Sequence, residues 1–290
     1  MKFRSKLVDI GCIHQLTKIL GTISKITKTC TLILSEQQVV FTQNERATGG
    51  GASLWCELKQ VDFFEDYRIE GKDDNNQIYL EIINENLLRA LKSGQNAQCI
   101  KIKLVKKQTP CLMFEVSLPS MTAHTRVVVH DIPVAVIPTR FWENFQRPIL
   151  PAYDIKISLP NLKILKNIIE RMKNISGFMV LSASQNGNLS CKVETEEVTA
   201  TTYFSNMEIE KNDNNMPHRS QRRSVDIDED DELVEARIDV QKLVTFLNVQ
   251  QFNANKVMCG IVNGQSVHMF LQCGDMFFQY FIPAMNVSIL

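Results

Sequence analysis

The sequence predicts an α+β protein of two repeated domains, each an antiparallel sheet backed on one side by two amphipathic helices. Three observations predict it. Most of the chain alternates apolar and polar residues with the period of two that half-buried strands require. Four segments, two long and two short, switch to the helical period. The order strand, long helix, strands, short helix, strands occurs once before and once after a proline-broken stretch at 133–151.

In the first half, Met1 to Val8 alternates as a strand, and Asp9 is placed to cap a helix from about Ile10 to Ile26. That helix has Cys12, Ile13, Leu16, Ile19, Leu20, Ile23 and Ile26 on one arc and His14, Gln15, Lys18, Gly21, Thr22 and Lys25 on the other. From Cys30 to Ile83 the segments TCTLILS, QVVFTQ, SLWCEL, YRIEG and QIYLEII read as an antiparallel meander. Asn84 is expected to cap a short helix through Asn96, with Leu87, Leu88, Ala90 and Leu91 inward and Arg89, Lys92 and Asn96 outward. IKIKLVKK, PCLMFEVSL and TRVVVHDIPV return to strand, ending a first domain at 1–132.

The connecting loop, 133–151, carries Pro133, Pro138, Pro148 and Pro151 with Ile137, Phe141, Trp142 and Phe145 between them. Apolar side chains in a connection either pack onto the sheet beneath or line a docking groove. The second domain, 152–290, opens with a strand at Tyr153 to Ser158 and a helix over Ser158 to Ser176. Its inward arc holds Leu162, Ile164, Leu165, Ile168, Ile169, Met172 and Ile175; its outward arc holds Lys163, Lys166, Asn167, Glu170, Arg171, Lys173 and Asn174. FMVLSAS and NLSCKVET flank an Asn186-Gly187 hairpin signal, followed by VTATTYF and ELVEARI. Asp239 caps a last helix with Val240, Leu243, Val244 and Leu247 inward and Lys242 outward, before KVMCGIV, SVHMFLQ and MFFQYFI. The segment 206–232 is too charged and too poor in apolar residues to fold, and is expected to be a long mobile loop, with Ser224 a candidate for phosphorylation.

Composition narrows the function. Lys+Arg and Asp+Glu are equal at 32 each, so only the local distribution of charge can point to a nucleic-acid partner. No apolar run reaches the length of a membrane span and no secretory leader is evident, so cytosol or nucleus is expected. The eight cysteines are scattered without a CxxC pair, which predicts free thiols and neither metal nor disulfide. The glycines 49–51 lack the Lys-Ser/Thr ending of a phosphate loop. For a thiol hydrolase, Cys12 with His14 or Cys259 with His268 lack the arrangement of nucleophile, base and orienting acid. No catalytic residue and no cofactor is expected.

Helices with one packed face and one basic face, repeated in two domains, suit an arc whose helices line its inner face. Several such arcs closing into a ring present that face to a phosphate backbone without reading bases. The chain resembles the PCNA-type sliding clamps and, more closely, the Hus subunits of eukaryotic DNA-damage checkpoint clamps. The resemblance is carried by MKFRSKLVD at the start, KTCTL from Lys28, LWCEL from Leu54, IYLEI from Ile78, NLLRALKSGQNA from Asn86, KIKL from Lys101, HDIPVAVIP from His130, MKNIS from Met172, KVETE from Lys192 and QYFIPA from Gln279. It departs in the 206–232 loop and in the tail after Ala284.

The resemblance implies a PCNA-like DNA clamp fold and a heterotrimeric ring with two Rad-type clamp subunits. An ATP-driven loader would place it on double-stranded DNA independently of sequence. There it would support the ATR checkpoint kinase pathway and hold repair enzymes, in the nucleus, with a cytoplasmic pool when unassembled. It further implies that Lys18, Lys25, Arg89, Lys92, Lys163, Lys166, Arg171, Lys173 and Lys242 face DNA. Subunit contacts would fall on Arg126, Val127, Val128 and Val129 and on Val198, Thr199, Thr201 and Tyr203. A partner-peptide groove would lie near Ile137, Trp142, Phe145, Tyr280 and Ile282. A homotrimeric replication clamp is the alternative within the class.

Overall fold

The structure, a computed structural model, describes residues 1–44, 51–72, 75–119, 126–210, 233–252, 254, 256–274 and 276–285. Two compact units make up the chain. One comprises Met1–Pro148, Gln251–Asn253 and Gln272–Gln279; the other comprises Ile149–Gln250, Ala254–Leu271 and Tyr280–Leu290. The connecting stretch up to Pro148 therefore groups with the first unit.

The first unit begins with β1 (Lys2–Leu7) and α1 (Ile10–Ile26), whose N-terminus is closed by Asp9 accepting the Cys12 amide at 2.8 Å. That hydrogen bond holds the Asp9 carboxyl below its ordinary pKa. There follow β2 (Thr29–Leu34), β3 (Gln38–Asn44), β4 (Ser53–Lys59), the single turn α2 (Gln60–Phe63), β5 (Glu65–Glu70), β6 (Ile78–Ile83) and α3 (Asn84–Ser93). Then come β7 (Cys99–Lys106), β8 (Pro110–Leu118), β9 (Arg126–Pro133) and β10 (Ala135–Val136).

The strands form two antiparallel groups, β5-β1-β7-β8-β9 and β10-β6-β2-β3-β4. This corrects the expected meander. Only β2, β3 and β4 follow one another; α2 turns the chain away, β5 pairs with β1, and β6 returns to the far side of β2. Leu16 and Leu20 of α1, Leu87 and Leu91 of α3, Ile102 and Phe114 from one sheet and Leu32 and Phe41 from the other meet around a cavity of about 30 Å³. One core thus ties both helices to both sheets.

Asn84 does not cap α3. It is the first residue inside the helix, fully buried, with Ile83 at the cap position. Its Oδ1 accepts the Cys30 thiol at 2.7 Å and its Nδ2 donates to the Thr27 carbonyl at 2.9 Å. An asparagine beside a helix start reads as a cap from sequence; here the same polar side chain pins the end of α1 to the start of β2. Asn84→Leu leaves the half-buried Thr27 carbonyl and the buried Cys30 thiol without this partner, so urea denaturation is expected to show a loss of about 1–3 kcal/mol.

The connection packs down onto the sheet. β10 pairs with β6, placing Ala135 opposite Glu81, and a 3-10 turn at Thr139–Phe145 follows. Trp142 lies nearly parallel to Tyr79 with ring centroids 4.3 Å apart, and its indole N–H donates to the Ile137 carbonyl at 2.9 Å. Ile33, Val40 and Trp55 complete this cluster, with Ile137 and Phe145 half-buried against it.

The second unit contains β11 (Ile155–Ser158), α4 (Leu162–Met172), β12 (Phe178–Ala183), β13 (Leu189–Glu194), β14 (Thr199–Phe204) and β15 (Val234–Asp239). After α5 (Val240–Phe246) come β16 (Lys256–Val262), β17 (Ser266–Cys273) and β18 (Met276–Pro283), of which the part from Tyr280 belongs to this unit. Its strands run β14-β13-β12-β15 and β17-β16-β11. The β12–β13 hairpin turns through Gly187 at φ 80°, where a Cβ would stand 2.6 Å from the Met207 carbonyl oxygen. Asp239 caps α5 by accepting the Gln241 amide at 2.7 Å.

α4 is shorter than its periodicity predicts. Asn161 starts it by accepting the Lys163 and Ile164 amides, and after Met172 the backbone tightens into turns. Leu165, Ile169 and Met172 are buried, whereas Ile164 is 57% and Ile175 37% exposed. Ile164 lies about 100° round the helix from Leu165, at the rim of the buried stripe. The expected 206–232 loop begins later than predicted: Ile209 bridges Ile157, and the Ser158 amide donates to the Glu208 carbonyl at 2.7 Å. Residues 211–232, with Ser224, and the tail 286–290 lie outside the described residues.

All eight cysteines are free thiols. Cys30 and Cys56 in the first unit and Cys191 and Cys259 in the second are buried, and burial pushes each thiol up, that of Cys191 to about 12.

Candidate nucleic-acid interface

α1 and α3 pack side by side because the strip between them is small or self-satisfied. Gly21 sits beside Leu88, whose Cδ1 lies 3.9 Å from where a Cβ would be. The buried hydroxyls of Thr17 and Thr22 donate back to the Ile13 and Lys18 carbonyls at 2.7 and 3.1 Å. Thr22 is thereby fully buried, a correction to its expected place on the outer arc.

On the outer side this pair of helices forms a groove of about 490 Å³, lined by Lys18, Lys25 and Lys92 with His14, Leu88 and Gln95. All three lysines are exposed. Ammonium groups on flexible stems around one groove make a positive field suited to phosphate without directional readout. Arg89, exposed on α3, pairs with Glu85 at 3.2 Å, a contact worth about 0.3–0.5 kcal/mol that leaves it available to another anion.

The second unit is less uniform. Lys163, Arg171 and Lys173 are exposed on or just after α4. Lys166 is drawn in: its side chain is 18% exposed, and its ammonium donates to Asn248 Oδ1 at 3.3 Å and lies 3.6 Å from Glu170. Lys242 is half-buried. Lys166 also ties α4 to the turn after α5, a role that periodicity does not reveal.

β9 and β14 each end a sheet. Val127 and Val129 are 53% and 51% exposed, and Val198 and Tyr203 are 48% and 75% exposed; Arg126 and Thr199 are exposed, Val128 and Thr201 half-buried. Edge strands with bare apolar side chains and unpaired backbone groups are templates for another strand. The groove residues divide differently. Ile137 and Phe145 keep some surface, but Trp142, Tyr280 and Ile282 are buried, Tyr280 stacking on Phe246 at 5.8 Å. This corrects the groove assignment: alternation within an apolar run does not say which of its residues remain at the surface.

The sulfur of Cys12 donates to the Asp62 carbonyl at 3.2 Å, and His14 Nε2 meets the Gln95 carbonyl at 3.0 Å. His268, buried, has Nδ1 2.6 Å from the Tyr153 hydroxyl. Each candidate base is therefore engaged away from its candidate thiol. No group of His, Cys, Asp and Glu suited to a metal ion occurs among the described residues.

Antiparallel sheets in two units, paired helices and few other helices define a PCNA-like clamp architecture. The family model described as Hus1-like protein matches residues 1–286, and the chain belongs to this Hus1-like family. It is 44% identical to the human checkpoint protein HUS1, over 99% of this chain and all of that one. It is 28% identical to a Drosophila melanogaster checkpoint protein Hus1-like, over 93% of each chain. Identity to the Schizosaccharomyces pombe checkpoint protein hus1 is 26%, over 95% of this chain and 94% of that one. No helix among the described residues is long and apolar enough to cross a membrane.

Proposed function

We propose that the chain is a non-catalytic subunit of a heterotrimeric checkpoint clamp, a ring that encircles double-stranded DNA at damage sites in the nucleus. The ring supports checkpoint kinase activation and holds repair enzymes, after an ATP-driven loader has opened it. The observation that carries this reading is the placement of β9 and β14: both are terminal strands of their sheets and both keep apolar side chains in solvent. Covering each with a strand of a different subunit satisfies its backbone and removes an aggregation hazard. Lys18, Lys25, Arg89 and Lys92 in one unit and Lys163, Arg171 and Lys173 in the other then supply sequence-independent contact to phosphates. Ring topology retains the DNA, so these contacts can remain weak enough for sliding.

Light scattering after size-exclusion chromatography tests the assembly. The chain alone is expected to run as a monomer or as aggregate, and to enter a 1:1:1 complex when two Rad-type clamp subunits from the same organism are added. A stable homotrimer formed alone would favour a self-sufficient replication-type clamp, and a chain indifferent to both subunits would defeat the ring reading.

A further inference from the structure

A second concentration of positive charge lies in the first unit, on the side of the five-stranded sheet away from the helices. β1 alternates, so Phe3, Ser5 and Leu7 are buried while Lys2, Arg4 and Lys6 stand on the opposite face. Across the sheet, register sets Arg4 directly opposite Arg68 of β5 and Lys103 of β7, and Lys6 opposite Lys101. Like charges in directly opposed positions weaken strand pairing. Elsewhere the register answers the charge, with Glu70 opposite Lys2, Glu65 opposite Lys6 and Glu115 opposite Lys101, so the cost falls on the Arg4–Arg68 pair.

Three acids on this face each hold a lysine, and a fourth, Glu65, stands opposite Lys6. Glu70 holds Lys2 at 2.7 Å, Glu115 holds Lys103 at 3.1 Å, and Asp66 holds Lys6. Asp66 occupies the irregularity in the β1–β5 register with φ 48°, where the extra residue re-aims its side chain. Arg4 and Arg68 feel the Asp66 charge, but its hydrogen bond goes to Lys6. Among the described residues, Arg4, Arg68 and Lys101 have no ion pair within salt-bridge distance.

Two hollows, of about 230 and 430 Å³, share Arg4 and Lys103 in their walls. Lys101 lines the smaller; Arg68 lines the larger, which has an apolar side formed by Leu104 and Val105. Directly opposed residues hold their Cβ atoms about 5 Å apart, so both guanidinium forks can close on one phosphate. Carboxylates interrupt the field on either side of the arginine pair, an arrangement that suits one phosphate group better than a run of them along a duplex.

We propose that this face binds a phosphorylated peptide segment. Arg4 and Arg68 take the phosphate, Lys101 adds charge, and Leu104 and Val105 receive a neighbouring apolar side chain. Guanidinium pairs facing one another across two strands suit the three oxygens of a phosphoserine or phosphothreonine better than a single carboxylate.

The test is fluorescence anisotropy on the full chain with a short labelled peptide carrying one phosphoserine beside a leucine, against the same peptide with serine. The phosphopeptide is expected to bind at least about tenfold more tightly. Arg68→Glu is expected to lower that affinity by at least about tenfold while the thermal midpoint holds or rises, because opposite charges then face each other across β1 and β5. Lys101→Gln, which leaves the arginine pair intact, is expected to weaken binding less. Equal affinity for the two peptides overturns the proposal. So does unchanged affinity in both variants, or a single-stranded oligonucleotide displacing the label at lower concentration than unlabelled phosphopeptide.

Discussion

Trp142→Ala is expected to lower the stability of the chain by about 3–5 kcal/mol, the range for removing a large aromatic from a packed site. The expectation follows from its surroundings. The indole is 7% exposed, stacks on Tyr79, and sits on Ile33, Val40 and Trp55. Removing it empties the underside of the 3-10 turn and uncovers the outer face of β6, β2 and β3. Trp142→Phe keeps most of the stacking and loses the hydrogen bond to the Ile137 carbonyl, so its cost is expected near 1 kcal/mol. Urea denaturation of both variants checks the order; equal costs would mean that the stack contributes little.

Lys18→Glu, Lys25→Glu and Lys92→Glu together are expected to leave the fold intact and to weaken DNA retention more than any other surface change on the helices. The three ammonium groups surround one groove, so reversing them replaces a positive field with a negative one. If each meets about one phosphate, the log–log salt dependence of binding becomes shallower by about 2–3. Retention of the assembled ring on closed circular DNA, measured across a salt series, reads this directly; an unchanged slope would remove α1 and α3 from the DNA path. This test is cleaner than reversing Lys166, whose bond to Asn248 makes any substitution a packing change as well.

The main elements were legible because their patterns are strong. The helical period fixes α1 from Ile10 to Ile26, strict alternation fixes β1 and the IKIK part of β7, and an apolar-rich run marks β8. Strand order was less legible, since nothing local in YRIEG says that it will abandon β4 for β1. Polar residues were hardest to place: Asn84 reads as a cap and Thr22 and Lys166 as solvated in a helical projection, and each is drawn inward by a hydrogen bond to a group elsewhere in the chain or in its own helix. The groove of Lys18, Lys25 and Lys92 was accessible from the sequence because two amphipathic helices share a polarity. The basic face of β1, β5 and β7 was missed because its cations are scattered over a hundred residues and are brought together only by register.

The buried thiols give the molecule its own clocks. Cys30 and Cys56 in one unit and Cys191 and Cys259 in the other are shielded and poorly ionised, so an alkylating reagent reaches them only during an opening event. Each pair thus times the breathing of its own half. If both pairs are modified at one rate, the halves open as a single cooperative body. If one pair lags, RT times the logarithm of the ratio of rates gives the free-energy gap between two separately melting foldons when opening is in rapid equilibrium.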